Sequence, residues 1–99
     1  MIRIWLNEKP WYREVKPMRK VVIPGYEEYE FYATRDIVFK SKVNITEGKT
    51  GEVVGRGGNS IKKAIASAVY SLQKYTKDEL NAKIERALKR HQLEMAGET

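Results

Sequence analysis

Apolar and polar side chains alternate at the start of the chain, with Ile2, Ile4 and Leu6 on one side and Arg3, Trp5 and Asn7 on the other. That period of two is the mark of a half-buried strand. Pro10 and Pro17 bracket a turn-rich segment that holds Trp11 and Tyr12. β-Branched and aromatic residues then predict strands over 19–23, closed by Pro24-Gly25, and over 29–34, 36–46 and 51–55. Glu47-Gly48-Lys49-Thr50-Gly51 reads as the hairpin turn between the last two, so the first half is an antiparallel β-meander of about four or five strands.

The period changes in the second half. Ile61, Ala64, Ile65, Ala68, Val69 and Leu72 recur at i, i+3, i+4, i+7, i+8 and i+11, an apolar stripe along one helix. Thr76 and Glu79 have capping-box spacing, which starts a second helix at Lys77 with Leu80, Ile84, Ala87, Leu88 and His91 on its inner face. The expected fold is α+β in a single domain, 1–99. Its β-rich part spans 1–56, its first helix 59–75 and its second helix 77–95.

Composition narrows the chemistry. The 99 residues contain 19 Lys and Arg against 13 Asp and Glu, a net charge of +6, which favours a polyanionic partner. The two halves carry the same net charge, but between Glu52 and Asp78 there is no acid, while Arg56, Lys62, Lys63, Lys74 and Lys77 all fall there. No cysteine is present, which excludes disulfides, thiolate nucleophiles, cysteine-based zinc sites and iron–sulfur clusters. Apolar runs such as Val21-Val22-Ile23 are far shorter than the roughly 20 residues that cross a bilayer. The N-terminus lacks a secretory pattern, so the cytoplasm is the expected location, with no membrane partner.

Catalytic groupings are scarce. One histidine and two aspartates leave little to assemble, and His91 on the apolar helix face reads as a packing residue. Gly48-Lys49-Thr50 fails as a phosphate-binding P-loop because Val43 stands where its first glycine belongs. The expectation is a protein that is not an enzyme and uses no metal and no cofactor.

The most informative segment is Gly55-Arg56-Gly57-Gly58-Asn59-Ser60-Ile61-Lys62-Lys63. Glycines let a backbone turn tightly and approach a ligand closely. Asn59 or Ser60 can cap the following helix, whose first turn carries Lys62 and Lys63 in place of the usual acids. An uncompensated helix dipole reinforced by these lysines and Arg56 is suited to phosphate. Glycines used for geometry alone, beside solvated lysines, are the competing explanation.

The segment from Gly51 to Lys62 resembles the K-homology signature, in which two aliphatic residues precede a Gly-x-x-Gly loop and Ile-Lys opens the next helix. That resemblance implies a loop that clamps the backbone of a single-stranded nucleic acid. Ser60, Lys62, Ala64 and Ala68 are also similar to the helix opening of double-stranded RNA-binding domains, which implies lysine contacts to phosphates across a groove. In layout, a basic cysteine-free chain with a β-rich first half and two C-terminal helices resembles the Thoeris anti-defence sponges of phages. Those are non-catalytic oligomers that enclose a cyclic nucleotide or an ADP-ribose-like molecule with helix arginines and an aromatic residue. Carried over to this chain, the resemblance implies that Arg86 and Arg90, at i and i+4 with Lys83 on the same flank, bind phosphate while Trp11 stacks on a base.

The leading expectation is therefore a homo-oligomeric sponge for a phosphate-bearing cyclic nucleotide. The alternative is an RNA- or single-stranded DNA-binding module built on 55–63. A protein-directed inhibitor or structural protein is a third class.

Overall fold

The computed structural model describes residues 1–97, so the last two residues of the expected domain lie outside the described residues. Six strands precede two helices. They are β1 (Ile2–Trp5), β2 (Tyr12–Val15), β3 (Arg19–Val21), β4 (Phe31–Arg35), β5 (Val43–Glu47), β6 (Val53–Arg56), α1 (Ile61–Leu72) and α2 (Lys77–Ala96). β1 and β2 form a two-stranded sheet, and β3-β4-β5-β6 form an antiparallel meander, which gives an α+β fold.

Two strands depart from the sequence reading for local reasons. The turn-rich 10–17 segment contains β2, whose Tyr-Arg-Glu-Val pattern is too polar to announce a strand. It is held by register with β1, from Ile2 opposite Val15 to Trp5 opposite Tyr12. The strand expected over 36–46 begins only at Val43. Asp36 Oδ1 accepts the amides of Val38 (2.9 Å) and Phe39 (3.0 Å), and this side-chain turn stops β4 at Arg35 and makes 36–42 a loop.

The sheet has one apolar and one polar face. Phe31, Ala33, Val43 and Ile45 are buried with Ala64, Ala68 and Leu72 of α1, which packs on β5 and β6. On the other face Thr34 and Thr46 are fully buried and share a 2.9 Å hydroxyl hydrogen bond. The β1–β2 sheet is tied to the larger one where the Trp5 amide donates to the Gly51 carbonyl (2.9 Å). The β5–β6 turn is locked by the buried Glu47, whose Oε1 accepts the Thr50 amide and hydroxyl and whose Oε2 accepts the Lys49 amide. The Gly48-Lys49-Thr50 segment is thus a hairpin turn whose backbone amides and Thr50 hydroxyl are already satisfied.

α1 ends at Leu72, three residues before the expected boundary, and Thr76 starts α2 with a complete capping box. Leu80 enters the core, Tyr29 Oη donates to Asn81 Oδ1 (2.7 Å), and Lys77 pairs with Glu28 (2.7 Å), which holds the Glu28 carboxyl below its usual range. The far half of α2 reaches β1, where the His91 ring stacks on Trp5. Among the described residues no helix is long and apolar enough to cross a membrane.

Candidate nucleic-acid interface

Antiparallel topology places the β4–β5 loop and the β6–α1 turn at the same end of the sheet. Val43 N–H donates to Gly58 O (2.6 Å) and Gly57 N–H to Val43 O (2.9 Å), so the two segments are joined backbone to backbone. Arg56 adds a side-chain link to Asp36 (3.3 Å). Residues 35–42 and 56–63 together carry Arg35, Lys40, Lys42, Arg56, Lys62 and Lys63, with Asp36 as their one carboxylate.

That carboxylate is internally satisfied. Its Oδ1 holds the two loop amides, and its Oδ2 accepts from Asn44 Nδ2 (3.0 Å) and Arg56 Nη1 (3.3 Å). The Phe39 amide and then the Asn44 side chain hold the Asp36 carboxyl below the ordinary aspartate range, against the opposing effect of burial. Asp36 thus organises the loop and leaves the surrounding cations facing solvent.

The glycines divide by role. A Cβ on Gly55 would stand 2.6 Å from both Ala64 O and Ala68 N, and one on Gly57 would overlap the backbone of Ala64. These two residues let α1 lie directly on β6, so their purpose is packing and not ligand access. Gly58 is different, with φ +62 and open space where a side chain would go. Asn59 is exposed, and Ser60 is the N-cap, accepting the Lys63 amide (3.3 Å). Lys62 and Lys63 are exposed, with no acidic residue in the first helical turn. The Arg56 amide donates to Ser67 Oγ (3.2 Å), while its side chain remains 68% exposed.

The four residues expected around a small nucleotide do not converge on one cavity. Lys83 lies 5.5 Å from the Tyr75 ring centroid and lines a cavity of ≈ 210 Å³ between α2 and the sheet, which Trp11, Arg86 and Arg90 do not line. Arg86 is exposed and makes no ion pair among the described residues. Arg90 donates to Glu52 Oε2 (3.1 Å). Trp11, at φ +68, stacks on Trp5 with centroids 5.7 Å apart, and its indole N–H is buried without a partner.

Three residues that the sequence reading did not assign to a site organise this region. Trp5 stacks on His91 at 3.7 Å and 13°, and Glu52 Oε2 lies 3.0 Å from His91 Nε2 while also accepting from Arg90. The signal for Trp5 was its place on the strand opposite the apolar set. Nothing local marked Glu52, which sits 39 residues from His91.

No protein-family model matches the chain, and neither a curated protein nor a solved structure shows significant similarity to it.

Proposed function

We propose that the protein is a non-catalytic module that binds RNA or single-stranded DNA through the basic end of its sheet. The observation that carries this reading is the gathering of six cations on two joined segments whose single carboxylate is internally satisfied. Phosphates would meet Lys62 and Lys63 at the α1 N-terminus, where the helix dipole adds its partial positive charge. Arg56 and Lys42 extend the same surface toward the loop. Each phosphate neutralised on a single strand releases counterions and contributes about 0.7 to the slope of log affinity against log salt. Fluorescence anisotropy of a labelled single-stranded oligonucleotide at several salt concentrations tests it. Tight, salt-sensitive binding is expected, and no binding at low salt would overturn the reading.

A second reading, capture of a cyclic nucleotide by a homo-oligomer, is favoured by one groove of ≈ 410 Å³ whose lining includes Arg3, Trp5, Tyr12, Lys49 and His91. It combines aromatic faces with cations, and Arg90 adjoins His91 beside it. Deproteinising the purified protein and finding released nucleotide by mass spectrometry would put this reading first.

A further inference from the structure

A second groove lies between β2 and the β4–β5 loop. It measures ≈ 450 Å³ and is lined by Arg13, Val15, Lys16, Arg35, Asp36, Ile37 and Lys40. Four of the seven are cations, and none of the four makes an ion pair among the described residues. The one acid is Asp36, whose two oxygens are occupied by four donors. A concave surface of this kind concentrates the field of its charges and attracts a chain of anions.

Beside Lys40 the loop turns Val38 and Phe39 outward, at 76% and 61% exposure. The backbone that presents them is held by structure. Asp36 fixes both amides, the Lys42 amide donates to Phe39 O (2.8 Å), and the loop is tethered to the sheet through Asn44 and Arg56. A solvent-facing phenyl ring on a fixed backbone, with Lys42 Nζ 5.3 Å from its centroid, leaves little backbone freedom to lose on stacking, and every nucleobase offers a face to stack on.

We propose that this groove and Phe39 form a single-strand site: Arg13, Lys16, Arg35 and Lys40 track the phosphate backbone while Phe39 stacks on an unpaired base. The proposal rests on the nucleic-acid reading above and specifies its substrate as a strand with accessible bases. A blunt duplex keeps its bases stacked on one another and offers Phe39 nothing but its ends.

The test uses the full chain and a single-stranded RNA carrying one 2-aminopurine, with a blunt duplex of the same sequence as the control. Binding to the wild type is expected to quench the 2-aminopurine. Phe39→Ala should abolish the quench and weaken single-strand binding about tenfold, Phe39→Trp should restore both, and duplex binding should be indifferent to either change. Arg13→Gln and Arg35→Gln should each weaken single-strand binding severalfold and flatten the salt slope by about 0.7. All these side chains are exposed, and an unchanged thermal midpoint will show that the fold is retained. If the wild type binds the oligonucleotide without quenching and the groove variants bind as it does, the proposal is overturned and the nucleic-acid reading stands. If the wild type binds no oligonucleotide, both fall. Phe39-dependent binding to anionic lipid vesicles without any quench would also overturn the proposal, in favour of a membrane surface.

Discussion

Gly55 and Ala68 meet backbone to backbone: a Cβ on Gly55 would stand 2.6 Å from the Ala68 amide nitrogen and 2.8 Å from its Cα. Gly57 makes the same kind of approach to Ala64 one turn earlier on α1. A stripe of alanines on the helix and two glycines, one on β6 and one just beyond its end, are two halves of one contact. The glycine segment therefore serves the core first, and the residues left to bind anything are the ones between and after the glycines.

A stability series follows from that contact. Gly55→Ala and Gly57→Ala should each destabilise by about 3 kcal/mol or more, the upper end of what overpacking costs, because the clash is with backbone. Gly58→Ala should cost about 1–2 kcal/mol, because its left-handed φ and not crowding is the obstacle. Urea denaturation ranks them. Equal effects at Gly57 and Gly58 would contradict the close helix–strand approach.

The attachment of the far half of α2 offers a second prediction. His91 has a side chain 8% exposed, stacked on Trp5 and hydrogen-bonded to Glu52. His91→Ala should destabilise by about 1–3 kcal/mol, from lost stacking, the space left by the buried ring and one lost hydrogen bond. Arg90→Ala removes only the ion pair of a 54% exposed side chain and should cost under about 1 kcal/mol. Hydrogen exchange should show the last turns of α2 opening first in the His91 variant.

The sequence exposed the elements whose pattern is local. The α1 stripe and the Thr76–Glu79 box are each local to one helix and both are legible: the box marks Lys77 as the first residue of α2, while α1 starts at Ile61, two residues inside the expected 59. β2 is not legible, because its polar pattern is held by pairing with β1, including Arg3 over the Tyr12 ring, which no local signal announces. The basic end was half legible. Arg56, Lys62 and Lys63 stand close together in the chain, while Arg13, Lys16, Arg35 and Lys40 come from three separate segments that only the tertiary fold assembles. Trp5 and Glu52 escaped for the same reason. His91 reads as a packing residue, and the structure supplies its partner, the Trp5 indole 86 positions away.

Asp36 gives a pH prediction. Its carboxyl sits below its unfolded value, chiefly through the Phe39 amide and the Asn44 side chain. Its contribution is therefore complete above the unfolded value and is lost as the pH falls through the folded one. Asp36→Asn should be less stable than the wild type from neutral pH down to about pH 5, and the gap should close below about pH 4. Denaturant midpoints measured across that range check it; a gap that stays constant at acid pH would show that Asp36 does not hold the loop in its ionised form.

The last prediction separates the two binding readings by where charge removal matters. Lys62 and Lys63 have no structural partner among the described residues beyond the helix they begin, so Lys62→Ala and Lys63→Ala should leave the fold intact. Each should weaken oligonucleotide binding across sequences and flatten the salt slope by about 0.7. Arg86→Ala and Arg90→Ala should leave oligonucleotide binding unchanged, because these arginines lie on α2, which contributes nothing to the two joined segments of the basic end. If a cyclic nucleotide is the ligand instead, the pattern inverts. Each arginine would then contribute a charge-assisted hydrogen bond to phosphate, worth about 1.5–3 kcal/mol, and its loss would weaken nucleotide binding roughly ten- to hundredfold. Arg86 is the cleaner probe of the two, since Arg90 must leave Glu52 to reach a phosphate. Titration of the four variants against a cyclic nucleotide and a short oligonucleotide at two salt concentrations gives the answer: oligonucleotide binding sensitive only to Lys62 and Lys63 supports the module, and nucleotide binding sensitive to Arg86 supports the sponge.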